Sequence, residues 1–177
     1  HAAHQADPHA NLIYNDWGCE GGEDWNDTFR AATLQLLGRL VARRVPIHGF
    51  GMQGHVSAFG TPIDQRKLRD FLGEVEAMGL SILITEMDVD DSGGPDDVGL
   101  RDAASADAAR RFLGVALDSS AVRTVLTWGL SDRYLDPPSW RERLKGWQGR
   151  RLPYDTMMRK KPLWDAVANA FAHARQR

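Results

Sequence analysis

Leu80-Ser81-Ile82-Leu83-Ile84-Thr85-Glu86-Met87-Asp88-Val89 is the stretch that decides the fold. Its apolar first half is the length of a buried strand, and it ends in two carboxylates two residues apart. It follows Asp64 to Met78, where Leu68, Phe71, Leu72, Val75 and Met78 recur at helical spacing and Gly79 is placed as the stop. A strand-sized run joined by a tight turn to an amphipathic helix is the signature of a βα repeat.

Working outward, the same pattern recurs. Strand-sized runs lie at Asn11 to Asp16, Ile47 to Val56 and Val122 to Leu130, and helical patterns at Trp25 to Arg44, Ala103 to Ser119 and Pro162 to His173. Pro162 suits a first helical turn, where its missing N–H costs nothing. The polar connection from Ser131 to Lys161 holds Pro137, Pro138, Gly146, Gly149 and Pro153 and reads as a functional loop, since a helix still follows it. Strands alternating with helices imply parallel pairing with right-handed crossovers, hence an α/β fold, doubly wound or a barrel. The 177 residues give about 44 per unit, so eight such units make a barrel of ordinary size and four make half of one.

Composition narrows the function. With 42% hydrophobic and 26% charged residues the chain is globular, and a net charge of −2 with mixed signs offers no basic stripe for nucleic acid. Cys19 is the only cysteine, which excludes an intramolecular disulfide or a thiolate metal cluster. No apolar run approaches the roughly 20 residues of a membrane span. No signal peptide opens the sequence, but it begins at His1 and reads as a start within a longer gene. Asn26-Asp27-Thr28 fits a glycosylation sequon and is read as a chance match.

In parallel α/β folds chemistry gathers at the carboxyl ends of the strands. Those ends present Asn15, Asp16 and Trp17; Gln53 and His55; Glu86 and Asp88; and Trp128. Gly49 to Gly54 only loosely echoes a dinucleotide fingerprint and lies within a strand, so no nucleotide is expected. Glu86 is delivered by a buried strand to the rim of the sheet, as a functional carboxylate or a solvated strand end. Strand alternation puts Asp88 on the same face, and likewise pairs Gln53 with His55. A metal held by His55, Glu86 and Asp88 is the competing reading, but the order lacks a recognised ligand spacing, and no metal is expected. Of the six tryptophans, Trp25 and Trp164 fall in helical patterns and read as core. Trp17, Trp128 and Trp140 stand where indole faces stack on sugars or, alternatively, cap the apolar layer.

These residues resemble glycoside hydrolase family 10, the retaining endo-β-1,4-xylanases, along nearly the whole chain. The resemblance rests on Ala6-Asp7-Pro8, Leu12-Ile13-Tyr14-Asn15-Asp16, Val45 to His55, Ile84 to Val89, Thr127 to Asp132 and Lys161-Pro162-Leu163-Trp164, all in the family's order. It implies that residues 1–177 are one partial catalytic domain, strands five to eight of a (β/α)8 barrel. It implies Glu86 as nucleophile, with His55 and Asp88 holding its charge and orientation. Gln53 and Asn15 would line the cleft near the reacting sugar, and Trp128 and Trp140 would wall its glycone side. Xylan or xylo-oligosaccharide is the implied partner, no cofactor is implied, and the implied location is secreted or periplasmic. Trp17 and Gly18 stand where the family usually has a Tyr-Asn pair, Gly54 replaces a common serine, and Leu135 to Pro138 looks like an insertion.

The family's Trp-Asp-Val-Val-Asn-Glu-type segment, which supplies the general acid/base, has no counterpart here. The chain alone is therefore expected to be inactive, and its open sheet edges offer self-association. Rival readings are another retaining β-glycosidase of the same barrel clan and a non-catalytic carbohydrate-binding half-barrel.

Overall fold

Helix starts follow from side chains that satisfy the first free N–H groups. Asp64 accepts from the N–H groups of Arg66 and Lys67, both at 3.0 Å, and opens α3 (Gln65–Ala77). Asp97 accepts from Leu100 N–H and opens α4 (Val98–Ala116). Glu23 and Asn26 form a reciprocal capping box at the head of α2 (Asp24–Ala42). The computed structural model describes residues 1–135, 146 and 148–174. The remaining elements are α1 (Ala2–Ala6), β1 (Ile13–Asp16), β2 (Gly49–Met52), β3 (His55–Ser57), β4 (Ser81–Asp90), β5 (Val122–Thr127), a 3₁₀ turn (Asp132–Tyr134) and α5 (Pro162–His173).

Every strand pairing among the described residues is parallel. The order is β1, β2, β4, β5, and β3 continues β2's course along the upper part of β4. The helix-facing side of the sheet holds Phe50, Met52, Ile82 and Ile84, packed with Leu68, Phe71, Leu72 and Val75 of α3 and Phe112 and Leu113 of α4, all buried. Each such side chain contributes roughly 1.5–3 kcal/mol on leaving water. Phe50 and Phe71 meet edge to face at 5.7 Å. The opposite face carries Asn15, Gly51 and Thr85, with Leu126 52% exposed.

Three expectations need correction. The run Ile47 to Val56 is two strands: Gly54 takes φ +84 between them, and a Cβ there would lie 2.8 Å from Ile84 Cγ2. The fourth strand ends at Thr127, which leaves Trp128 and Leu130 beyond it. Helix α4 starts at Val98 rather than Ala103, because its first buried positions are the charged Arg101 and Asp102, which hide the apolar period. The short α1 carried no periodic signal.

Candidate active site

Strict alternation along β4 would send Glu86 to the same side as the buried Ile82 and Ile84. It does not, because the ladder slips: Ile84 pairs with Val125 and Met87 with Thr127, so Thr85 and Glu86 together oppose Leu126. After this bulge Met87 and Val89 take over the helix-facing side. On the other flank, β2 has given way to Gln53 and Gly54, and Glu86 N–H donates to Gln53 O at 2.8 Å. Glu86 thus sits where the ladder is irregular on both sides, a placement by which bulges re-aim side chains.

Its carboxylate is held from two directions. Asn15 Nδ2 donates to Glu86 Oε1 at 3.2 Å, and Asn15 Oδ1 accepts from Thr85 Oγ1 at 2.8 Å. The Asn15 side chain reaches β4 by crossing Gly51, where a Cβ would lie 2.6 Å from Asn15 Oδ1. His55 Nε2 stands 3.5 Å from Glu86 Oε2, while His55 Nδ1 bonds Asp88 Oδ1 at 2.7 Å. With a carboxylate at each ring nitrogen, a neutral imidazole would turn a lone pair toward one of them. The hydrogen bond to Asp88, above all, raises the His55 pKa and favours the imidazolium. Glu86 and Asp88 do share a face, as alternation required, and meet at one imidazole.

Gln53 takes part through its backbone; among the described residues its side chain makes no hydrogen bond. Because Gly54 breaks the strand, Gln53 and His55 are not simple alternate positions. Among the described residues no group of three or more His, Cys, Asp or Glu is arranged to hold a metal ion.

Asp88 and His55 wall a cleft of about 910 Å³, together with Trp17, Glu20, Trp25 and Trp128. Glu86 lies at the other imidazole nitrogen, beside Asn15 and Thr85. Trp128 is 59% exposed and stands perpendicular to the His55 ring at 6.4 Å. Trp17 packs on Trp25 at 5.9 Å and on Phe29 at 5.3 Å. Trp25 is therefore a cleft residue, 40% exposed, and not core: it sits in the first turn of α2, where the helix emerges toward the strand ends. Trp164 is half-buried under Lys160, whose Nζ lies 3.4 Å from the ring centroid. Trp140 lies outside the described residues.

Sequence reasoning missed Glu20 and Asn26. Glu20 is a buried carboxyl in the cleft wall, within a Gly-rich turn that has no period to flag it. Asn26 is 1% exposed and donates to Gly18 O at 2.8 Å, so the sequon it opens is a structural element of the cleft wall.

The opposite wall is fastened by buried ion pairs. Lys161 Nζ donates to Asp132 Oδ2 at 2.7 Å and to Arg150 O at 2.8 Å. Arg150 makes a two-pronged contact with Asp102 at 2.8 and 2.7 Å, and its N–H donates to Asp91 Oδ1. Burial pushes Asp132 up and Lys161 down, each opposed by the partner's charge. The described part of the long connection is thus pinned against β4 and α4.

A parallel α/β unit with a bulge-borne glutamate, an imidazole and exposed indoles at its strand ends gathers its polar groups where α/β barrels carry their active sites. Residues 1–170 match Glycosyl hydrolase family 10, and the chain belongs to that family. It is 33% identical to endo-1,4-beta-xylanase B of Thermotoga neapolitana, covering 93% of this chain and 44% of that protein. It is 29% identical to endo-1,4-beta-xylanase 1 of Humicola insolens, covering 96% of this chain and 37% of that protein. Native xylanase 10B from Thermotoga maritima superimposes with a TM-score of 0.79 at 28% identity, covering 96% of this chain and 49% of that one. Xylanase 10B from Thermotoga petrophila RKU-1, in complex with xylobiose, gives 0.77 at 29%, with 96% and 48% covered. The chain thus spans less than half the length of each of these relatives, and its four βα units are part of a (β/α)8 barrel.

Proposed function

We infer that this chain carries the nucleophile half of a retaining endo-β-1,4-xylanase. The observation that carries the reading is the mounting of Glu86. A bulge turns it out of the helix-facing row, the Asn15 amide donates to one oxygen and the His55 imidazole faces the other. Both contacts orient the side chain whose carboxylate would attack.

In the proposed reaction Glu86 bonds to the anomeric carbon of a xylose unit as the glycosidic C–O bond breaks, and the leaving oxygen takes a proton from a general acid. Water, deprotonated by that same group, then attacks the anomeric carbon, whose bond to Glu86 breaks and returns the carboxylate. Trp128 and the Trp17–Trp25 pair offer apolar faces to the sugar rings along the cleft. The reaction requires a second carboxyl about 5–5.5 Å from the first. Asp88 is committed to the same imidazole as Glu86 and does not stand across the scissile bond. We assign the acid/base to the part of the barrel that the relatives possess and these residues do not align with.

Reducing-sugar release from xylan by the full-length protein, by its Glu86→Ala variant and by residues 1–177 alone tests the division of roles. The full-length protein is expected to be active and the other two inactive. Turnover by purified residues 1–177 would mean that an acid/base exists among them. Xylan binding without hydrolysis by the full-length protein would favour a carbohydrate-binding role.

A further inference from the structure

Glu20 is 4% exposed, walls the cleft beside His55 and Asp88, and plays no part in the reaction described above. Among the described residues no Lys or Arg side chain bonds it. A buried carboxyl without a cation is costly and raises the question of what it holds.

Its Oε1 accepts a hydrogen bond from Gly54 N–H at 2.8 Å. Gly54 is the left-handed residue that separates β2 from β3, and His55 follows it directly. The direction in which His55 leaves this break decides whether its two nitrogens reach Asp88 and Glu86 together. The loop bearing Glu20 is itself fixed on both sides. Arg30 donates to Cys19 O at 2.9 Å and to Gly21 O at 2.6 Å. Asn26 donates to Gly18 O at 2.8 Å, and Gly22 N–H donates to Pro62 O at 2.7 Å. A firmly mounted acceptor at a break in the strand is the arrangement a precise side-chain placement needs.

We propose that Glu20 is a positioning residue, whose acceptor oxygen on Gly54 N–H sets the β2–β3 break and thereby aims His55 at Glu86 and Asp88. The contribution lies in the reach of the acceptor rather than in its charge. Burial raises the Glu20 pKa, which fits a group serving as an acceptor in a site that already holds two carboxylates around one imidazole.

Two conservative variants of the full-length protein separate reach from charge. Glu20→Gln keeps the length and an acceptor oxygen; Glu20→Asp keeps the charge but draws the carboxyl back by one methylene. The primary readout is the low-field Nδ1–H resonance of ¹⁵N-labelled His55, which reports its bond to Asp88 and does not depend on activity. Melting temperature is measured alongside. Glu20→Gln is expected to keep the resonance and to stay within about threefold of the parent in kcat/KM on xylo-oligosaccharides, whereas Glu20→Asp loses the resonance and falls by about ten- to a hundredfold. The activity arm rests on the xylanase reading; the resonance arm does not, so an inactive parent with the expected resonance pattern would sink that reading and leave this one standing. The reverse pattern, with Asp tolerated and Gln not, would mean that charge acts. That result, loss in both variants or retention in both would each overturn the proposal.

Discussion

Gly51→Ala tests the mounting of Glu86 through a residue that touches no substrate. A Cβ at Gly51 lies 2.6 Å from Asn15 Oδ1, 3.1 Å from Asn15 Cγ and 3.1 Å from Thr85 Cγ2, so the Asn15 side chain must leave its path across the strand. Its bond to Glu86 Oε1 and the one it accepts from Thr85 are then lost together. A hydrogen bond to an ionised group contributes about 1.5–3 kcal/mol. At 1.36 kcal/mol per tenfold, kcat/KM should fall by about 10- to 150-fold. Asn15→Ala should cost about as much, and in its background Gly51→Ala should cost little more, because the obstructing oxygen is gone. The assay is a double-mutant cycle on the full-length protein with an aryl xyloside, with melting temperature measured to separate overpacking, itself worth about 1–3 kcal/mol. Additive penalties from the two substitutions would refute the claim that Gly51 acts by leaving room for Asn15.

Three further outcomes are expected. Because Asp88 raises the His55 pKa, the stability from this pair is complete below the ordinary imidazole value of about 6.5 and is lost as pH rises through the raised folded value. The melting-temperature gap between the parent and Asp88→Asn should therefore narrow from pH about 6 to about 9; a widening gap would contradict the assigned sign. Asp132→Ala leaves the Lys161 ammonium, 3% exposed, without its carboxylate and should cost about 3–5 kcal/mol in urea unfolding, where a loss under about 1 kcal/mol would show the pair to be dispensable. Trp128→Ala, at an indole 59% exposed, should change stability by less than about 0.5 kcal/mol while raising KM for xylo-oligosaccharides about two- to tenfold, from a stacking energy of about 0.5–1.5 kcal/mol. An unchanged KM there would leave Trp128 as a cap on the apolar layer.

The architecture was legible because βα units announce themselves by period. Leu68, Phe71, Leu72 and Val75 mark α3, and the run ending in Glu86 marks the strand that follows. The orientation of Glu86 was not legible in full. Ile82 and Ile84 alternate correctly, but the bulge that reverses the row falls at Thr85 and Glu86, neither of which carries a glycine's conformational signal. Asp88 and Glu86 meet at His55 because Glu86 is the last residue of the slip and alternation resumes from it. Trp25 was misassigned because helical spacing tells which residues share a face and not whether the helix end meets a cleft. Glu20 lay in a turn whose partners, Gly54 and Arg30, are distant in sequence, so no local pattern marked it.

The measurement that bears most directly on the central claim is covalent trapping. The full-length protein is incubated with an activated 2-deoxy-2-fluoro xylobioside, in which the fluorine slows both formation and hydrolysis of the ester while the activated leaving group restores its formation, so that the ester accumulates. Digestion and tandem mass spectrometry then locate the added sugar. The account predicts one fluoroxylobiosyl group, on the peptide spanning Ile84 to Val89 and esterified to Glu86, with loss of activity in step with labelling. A label on any other carboxylate, or stoichiometric turnover with no covalent adduct, would contradict Glu86 as the nucleophile.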